Sequence, residues 1–273
     1  MEFTKYQALG NDYLVIDPGH VDFEPTYESV RLLCDRHFGV GADGILFGPI
    51  GPVRPGDPVR LRIFNSDGTE CEKSGNGLRM FALYTATRYP VGDRFVIHTL
   101  AGDSPVWVRD LASGVVEVDM GRPRIEAVSE PLDVDGRRLG VTRVDIGNPH
   151  TVVPAAAISR DLACELGPRI ARHPTFPEGS NVQFMKVVDD GVIEIEIWER
   201  GAGYTLASGS SSCAAAAAAH VLGLVGDAVE VRMPGGTIAI TFRPDGAVTM
   251  VGPAQEVATG RLADAFQARL ATC

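Results

Sequence analysis

Two serines each precede a glycine where the chain changes from a strand-like to a helix-like pattern. Ser74 begins Ser-Gly-Asn-Gly at residues 74–77, and Ser208 begins Ser-Gly-Ser at residues 208–210. The first backbone N–H groups of a helix have no partner inside the helix and carry the positive end of its dipole. Each stretch therefore predicts a binding site for a carboxylate, with a serine hydroxyl beside it. Such groups could transfer a proton at the carbon next to the bound carboxylate.

The elements on both sides of these serines follow one plan. Residues 192–198 alternate largely between apolar side chains and glutamates, which predicts a strand with one covered face. Beyond Ser208, Cys213 and six consecutive alanines predict a helix with almost no side-chain bulk. Likewise, residues 61–64 predict a short strand before Ser74, and a helix then runs to residue 89.

The two serines lie 134 residues apart in a chain of 273 residues. So long a spacing predicts two related halves rather than a solenoid of short repeats. Two halves that face each other would aim two helix N-termini and two serines at one gap.

Composition excludes several classes of protein. The net charge of −10, without any cluster of Lys and Arg, argues against a nucleic-acid partner. No apolar run reaches the roughly 18 residues of a membrane span, and the N-terminus lacks a signal-peptide pattern. Five cysteines at irregular spacings give neither a disulfide framework nor a zinc pattern. We expect a reduced, cytoplasmic protein with a small-molecule ligand.

The rest of the chain predicts many short strands and few helices. A helix is expected over residues 27–38 and another around residues 162–172, with a terminal helix from about Leu262. Residues 39–44 match a dinucleotide fingerprint, but they follow a helix and precede a strand, which is the reverse of the required order. The pattern predicts an α/β (α+β) fold in which strands wrap around one helix in each half.

Several short motifs occur in a characteristic order along the chain. They include Ser-Gly-Asn-Gly at 74–77, Gly-Asn-Pro-His at 147–150 and Glu-Arg-Gly-Ala-Gly at 199–203, with further stretches at 8–12, 36–43, 65–70, 118–121, 176–178, 181–182 and 205–207. In these motifs the chain resembles the diaminopimelate epimerase family, the cofactor-independent amino-acid racemases and epimerases. The resemblance implies two pseudo-symmetric, β-barrel-like domains, 1–120 with the helix 262–273 returning to it, and 121–261. It also implies an active site between them without cofactor or metal, and it allows a homodimer.

In that family two cysteines flank the α-carbon of the substrate. One removes a proton and the other adds one on the opposite face, because a single base would return the proton to the side it came from. The resemblance assigns the α-carboxylate to the amides of Gly75, Asn76, Gly209 and Ser210. It assigns the rest of the substrate to Asn11, Asn65, Asn148, Asn181 and Arg200. His150 and Glu199 fall where the family hydrogen-bonds its two catalytic side chains.

Both cysteine positions are serines here, Ser74 and Ser208. A thiol titrates near ~8.5, whereas an alcohol is a far weaker acid that needs a neighbouring base. The serines would have to work through His150 and Glu199, or leave the proton transfer to those groups. Tyr204 also replaces a Glu that is usual in the family, so the sequence does not assign the residues that contact the distal end of the substrate.

Three functions remain compatible with the sequence. The first is an isomerase that moves a proton at the α-carbon of diaminopimelate or a related amino acid, with a tautomerase or dehydratase on a carboxylate substrate as variants. The second is a serine hydrolase with Ser208 as nucleophile and His150 as base. The third is a catalytically silent relative that keeps the ligand clamp, in which both serines are N-caps only.

Overall fold

The computed structural model describes residues 1–21 and 23–273 of the chain. The backbone divides into two compact units. The first consists of Met1–Val118 and Gly252–Cys273, and the second is Asp119–Val251.

The described residues form five helices. They are α1 Tyr27–Cys34, α2 Gly75–Arg88, α3 Arg160–Ala171, α4 Gly209–Val221 and α5 Asp264–Leu270.

Nineteen strands are present in the same part of the chain. The first nine are β1 Glu2–Ala8, β2 Asn11–Ile16, β3 Gly44–Phe47, β4 Val59–Arg60, β5 Arg62–Asn65, β6 Glu70–Cys71, β7 Arg94–Thr99, β8 Gly102–Asp110 and β9 Val115–Gly121. The others are β10 Arg124–Val134, β11 Arg137–Asp145, β12 Pro149–Pro154, β13 Asn181–Asp189, β14 Val192–Glu199, β15 Gly203–Thr205, β16 Ala228–Met233, β17 Gly236–Phe242, β18 Val248–Pro253 and β19 Gln255–Arg261.

The first unit is built on a sheet in the order β19-β1-β2-β3-β5-β6 and on a ladder β4-β7-β8-β9. Helix α2 contacts β1, β2, β8 and β19 and is buried along its first eleven residues. A separate apolar cluster, which includes Ile16, Leu33 and Leu270, packs α1 and α5 against the sheet. Strands therefore surround α2, as the sequence predicts, and two shorter helices cover the opposite face.

The second unit has the strand order β10-β11-β12-β13-β14-β16-β17-β18, with β15 paired to β14. Helix α4 contacts every strand of this series from β10 to β14, together with β16 and β17. Its alanines at 214–219 are at most 3% exposed. Because strands approach α4 from many sides, only very small side chains fit along it, which explains the run of alanine.

Helix α1 is shorter than predicted. It ends at Cys34 rather than at Phe38, and Asp35 is its C-cap. The Oδ1 atom of Asp35 accepts hydrogen bonds from the amides of His37 (2.8 Å) and Phe38 (2.7 Å). These local side-chain bonds replace the next helical turn, which is how aspartate commonly competes with a helix.

Five strands do not follow from the sequence pattern: β4, β6, β10, β15 and β19. Strands β4, β6 and β15 have only two or three residues each, too few for alternation to show. Strand β10 is largely exposed and has register shifts against β11, so its residues do not alternate cleanly. Strand β19 is also exposed and lies at an edge, paired to β1. This pairing brings residues 252–261 into the first unit, whereas the predicted boundary returned only residues 262–273 to it.

None of the helices in the described residues combines the length and apolar character that a membrane span requires.

The packing of α4 can be tested by enlarging one alanine. We expect Ala216→Leu to lower the free energy of unfolding by about 1–3 kcal/mol, because Ala216 is fully buried and the strands leave no volume for a larger side chain. Urea unfolding measures the change. The matched control is Ala268→Leu on the exposed face of α5, where we expect a change within about 0.5 kcal/mol. Equal stability of the two variants would contradict this account of α4.

Candidate active site

In the first unit, Ser74 caps the start of α2. Its backbone is extended (φ −132°, ψ 116°), and its Oγ accepts a hydrogen bond from the amide of Gly77 at 3.0 Å. The first intrahelical bond runs from the amide of Leu78 to the carbonyl of Ser74 at 2.8 Å. The amides of Gly75 and Asn76 therefore lie ahead of the intrahelical ladder, at the positive end of the dipole.

The second unit repeats this arrangement at the start of α4. Ser208 is extended (φ −148°, ψ 127°), is 5% exposed, and its Oγ accepts from the amide of Ser211 at 3.4 Å. The ladder begins with the bond from the amide of Ser212 to the carbonyl of Ser208 at 3.0 Å. The amides of Gly209 and Ser210 precede it. Since neither first turn contains an acidic side chain, both helix starts are suited to an anion.

Asn11 and Asn76 are held by a chain of side-chain hydrogen bonds. The Nδ2 group of Asn76 donates to Oδ1 of Asn11 at 3.1 Å, and Nδ2 of Asn11 donates to Asp43 at 2.9 Å. The guanidinium of Arg79 donates to Oδ1 of Asn76 at 2.9 Å. The chain fixes both amides relative to the first turn of α2.

Arg79 is a functional candidate that our sequence interpretation missed. Its side chain is fully buried in the second turn of α2, and its Nε also donates to the carbonyl of Pro253 at 3.2 Å. Arginine keeps its charge in proteins, so a permanent positive charge lies within hydrogen-bond distance of the Asn76 side chain. An arginine inside the otherwise apolar stretch 78–83 is a signal that could have identified it.

The carboxylates near Asn11 are neutralised locally. Arg36 contacts Asp12 at 2.6 Å and Asp43 at 2.8 Å, and Lys5 contacts Asp12 at 2.7 Å. Burial raises the pKa of Asp12, but the hydrogen bonds from Arg36 and Lys5 outweigh burial and lower it. The ionised Asp12 therefore supplies a fixed negative charge in this region rather than a titrating group.

Asn65 holds the turn that leads toward Ser74. Its Nδ2 donates to Oγ1 of Thr69 at 3.0 Å, and its amide bonds the carbonyl of Thr69 at 2.9 Å. The structure thus gives Asn65 a turn-forming role, and its predicted contact with substrate stays a prediction.

His150 occupies the interior of the second unit and is 2% exposed. Its Nε2 lies 2.9 Å from Oδ1 of Asn148, and its Nδ1 lies 3.0 Å from the amide nitrogen of Gln183. Burial lowers the pKa of His150 to about 4, because the charged imidazolium is disfavoured there more than Gln183 and Asp145 favour it. His150 is therefore neutral near pH 7, with both ring nitrogens hydrogen-bonded.

This geometry disfavours the hydrolase alternative. A hydrolase would need His150 to accept the proton of Ser208, but the ring nitrogens of His150 bond to Asn148 and Gln183. The Oγ of Ser208 lies 3.4 Å from Oγ of Ser210. The arrangement is that of a helix cap beside a polar chain and not that of a nucleophile with its base.

Asn181 and Arg200 connect two strand ends. The side chain of Asn181 donates to the carbonyl of Pro149 at 3.0 Å and accepts from the amide of Arg200 at 2.9 Å. The guanidinium of Arg200 donates to the carbonyl of Glu178 at 2.8 Å and is exposed. Asn181 thereby ties the first residue of β12 to the residue that follows Glu199, where β14 ends.

Glu199 and Arg200 line a cavity of about 550 Å³ within the second unit. Arg172, Glu178 and Trp198 also line it. Tyr204 stands where the family usually has Glu, and its hydroxyl donates a hydrogen bond to Glu196 at 2.8 Å. Charged groups of both signs at this cavity suit a polar, zwitterionic molecule.

Gln183 is the second candidate that the sequence did not reveal. It lies within the buried part of β13 and was assigned only to a strand. Its side chain reaches His150 because β12 and β13 pair in parallel. Such a contact depends on strand register, so nothing in the local sequence around Gln183 signals it.

Comparisons with known proteins agree with this geometry. The family model described as diaminopimelate epimerase matches residues 3–126 and 142–257. Diaminopimelate epimerase 2 of Nostoc sp. strain PCC 7120 is 45% identical over 275 residues, which cover 96% of this chain and 95% of that relative. Diaminopimelate epimerase of Cyanothece sp. strain PCC 7425 is 40% identical over 283 residues, with 96% and 99% covered.

Solved structures show the same fold. A probable proline racemase from Agrobacterium radiobacter K84, with bound carbonate, matches with a TM-score of 0.71 at 17% sequence identity. The match covers 96% of this chain and 93% of that one. The predicted α/β fold class is confirmed.

The burial of His150 makes a pH prediction. Its pKa falls from 6.5 to about 4 on folding, so between these values the unfolded chain binds the proton more readily. We expect the free energy of unfolding to be unaffected by His150 above pH 6.5 and to fall as the pH drops below that value, by about 3 kcal/mol near pH 4. Urea unfolding from pH 8 to pH 4 measures the dependence. If His150→Gln shows the same pH dependence as the unmodified chain, the assignment of a buried, neutral imidazole to His150 is wrong.

The two serine caps predict a graded loss of stability. We expect Ser74→Ala and Ser208→Ala each to cost about 1 kcal/mol, and the glycine variants only a few tenths, about 0.3 kcal/mol, because glycine is tolerated at an N-cap. Urea unfolding compares the four variants. Alanine variants that are as stable as the unmodified chain would show that the hydroxyls do not cap the helices.

Proposed function

The chain belongs to the diaminopimelate epimerase family, and we propose that it epimerises diaminopimelate by moving one proton at an α-carbon, without pyridoxal phosphate. The observation that carries this proposal is the pair of serine-capped helix starts, one in each unit. The relatives named diaminopimelate epimerase match almost the full chain, which supports the choice of substrate.

We assign the α-carboxylate of the substrate to the two helix starts. The amides of Gly75 and Asn76 would donate to one part of the carboxylate, and those of Gly209 and Ser210 to the other. When the α-proton leaves, its bonding electrons pass into the carboxylate and increase its negative charge. Fixed donors aimed at that developing charge lower the barrier most, and the buried charge of Arg79 acts in the same direction.

In our proposal Ser74 and Ser208 act on opposite faces of one α-carbon. One serine gives its hydroxyl proton to a neighbouring base while its oxygen accepts the α-proton, and the C–H electron pair passes into the carboxylate to give an enediolate. The hydroxyl of the other serine donates its proton to the opposite face, which forms a new C–H bond with inverted configuration. Exchange with water returns both serines to their starting states.

An alcohol needs a neighbouring base to take part in such a transfer. We assign that role to Glu199, at the end of β14, in keeping with its position in the family pattern. His150 is neutral and bonded through both ring nitrogens, so we assign it to holding Asn148 and not to accepting the proton.

We also propose a reducing, cytoplasmic location for the enzyme. None of the five cysteines forms a disulfide bond: Cys34, Cys71, Cys164, Cys213 and Cys273. Five cysteines without a disulfide fit a compartment that keeps thiols reduced.

Removal of either hydroxyl should greatly slow epimerisation without loss of the fold. We expect Ser74→Gly and Ser208→Gly each to lower the rate of conversion between the LL and meso isomers of diaminopimelate by about 10²–10⁴-fold, the usual contribution of an acid or base. Chiral chromatography of the product measures the rate. Glycine is the chosen variant because it removes the hydroxyl at a cost in stability of only about 0.3 kcal/mol.

Ser74→Thr and Ser208→Thr are the matched controls, since threonine keeps both the hydroxyl and the cap. We expect them to retain far more activity than the glycine variants. Full activity in both glycine variants would contradict the assigned roles. If the unmodified chain converts neither isomer, diaminopimelate is not its substrate.

Replacement of both serines by cysteine should accelerate the reaction. We expect the double variant Ser74→Cys, Ser208→Cys to epimerise diaminopimelate at least about tenfold faster than the unmodified chain, because a thiol ionises near ~8.5 and gives up its proton more readily than an alcohol. Initial rates at pH 8 measure the difference. A double variant slower than the unmodified chain would show that the site is built for hydroxyls and would overturn this ranking.

A further inference from the structure

Gln183 lies at the centre of a buried polar chain in the second unit. Its side chain is fully buried, and its Nε2 lies 3.0 Å from Nδ1 of His150 and 3.0 Å from Oγ of Ser211. A side-chain amide nitrogen carries two hydrogens and accepts none. Gln183 therefore donates one hydrogen to the imidazole and the other to the first turn of α4.

Strand register explains why these groups meet. In the parallel pair β12–β13, His150 lies opposite Asn181, and Gln183 is two residues further along β13. Side chains two residues apart point to the same face of a strand, so His150 and Gln183 share a face. Helix α4 packs against both strands and brings the buried Ser211 to the same place.

The donor role of Gln183 fixes the proton on His150. Because Nδ1 accepts from Gln183, the proton of the neutral ring must be on Nε2, which lies 2.9 Å from Oδ1 of Asn148. In this orientation Oε1 of Gln183 is buried without a hydrogen-bond partner among the described residues. The reversed amide would instead bury two N–H hydrogens without acceptors, which proteins tolerate less often than one orphaned carbonyl oxygen.

The chain also sets the polarity of Asn148. Its Oδ1 is occupied by the proton of His150, so its Nδ2 group, with two hydrogens, is the part left to meet a ligand. Asn148 is partly exposed in the turn before β12, beside Gly147, whose φ of +95° is a left-handed conformation that suits glycine. A group that meets Asn148 therefore has to accept hydrogen bonds.

We propose that Gln183 is a positioning residue that holds His150 as the Nε2–H tautomer, so that Asn148 presents hydrogen-bond donors to a carboxylate of the substrate. This inference rests on the proposed function for the identity of the substrate. The assignment of the His150 tautomer does not depend on the proposed function. Gln183 acts through His150 and Asn148 and touches neither the α-carbon nor its proton.

The direct test is ¹⁵N NMR of the imidazole of His150, assigned by comparison with His150→Gln. At pH 7 we expect an unprotonated Nδ1 and a protonated Nε2. We expect Gln183→Glu to place a proton on Nδ1, because a carboxylate accepts where the amide donated. A proton on Nδ1 in the unmodified chain, or an unprotonated Nδ1 in Gln183→Glu, would overturn the inference whatever the activity.

A kinetic test separates positioning from stability. We expect Gln183→Leu to raise KM for diaminopimelate about tenfold with a smaller change in kcat, since Asn148 loses its fixed orientation toward a charged group. The control is Thr151→Val, which removes a buried hydroxyl that bonds Ser180 at 2.8 Å in the same strand pair. This control should leave KM and the His150 signals unchanged.

The two proposals fail in different ways. If Gln183→Leu keeps its KM and its His150 signals, Gln183 does not position the imidazole, and the epimerase proposal is untouched. If the tautomer and its response to Gln183→Glu are as expected but diaminopimelate is not converted, the positioning of His150 stands and the substrate assignment fails.

Discussion

A helix enclosed by strands must still satisfy the backbone amides of its first turn, and this constraint organises both units. Along most of their length α2 and α4 are buried, and most of the buried residues in both helices are apolar. At the first turn the intrahelical ladder has not begun, and a serine hydroxyl supplies one acceptor. The remaining amides are a concentrated source of positive potential that an anionic ligand can use.

Two buried polar residues support these helix starts in opposite ways. Arg79 is charged and fully buried, and it uses Asn76 and the carbonyl of Pro253 as acceptors. His150 is buried but neutral, because burial lowers its pKa and its ring nitrogens bond the uncharged amides of Asn148 and Gln183. Arg79 adds a positive charge to the first turns of α2, whereas His150 links Asn148 through Gln183 to α4. Both fix the geometry of the site without themselves needing to gain or lose a proton near pH 7.

Much of this organisation could be predicted from the sequence. Serine before glycine at the end of a strand pattern correctly marked the start of both buried helices, because capping is a local interaction. Alternation between apolar residues and glutamates correctly located β14. The exposed strands β10 and β19 were missed because neither has a consistently buried face. The early end of α1 was missed because it depends on the side chain of Asp35.

The roles of site residues were harder to predict than the elements. Histidine is a residue type that often relays protons. The burial of His150 and its contact with Gln183, however, result from strand pairing, which cannot be read from sequence periodicity. Asn11, Asn65 and Asn181 stand in predicted turns, and the structure shows that each amide bonds protein groups. Residue type indicates what chemistry a position permits, and only the surrounding contacts decide which part of it is available.

The central claim is that two hydroxyls serve one α-carbon from opposite faces. The most direct measurement is ¹H NMR of a single turnover of LL-diaminopimelate in heavy water, with the recovered substrate and the product analysed separately. A two-sided transfer predicts deuterium at the α-carbon of the meso product and almost none in the recovered LL isomer. Deuterium that enters the recovered LL isomer as fast as the product would mean that one group works alone on one face, and it would contradict the account.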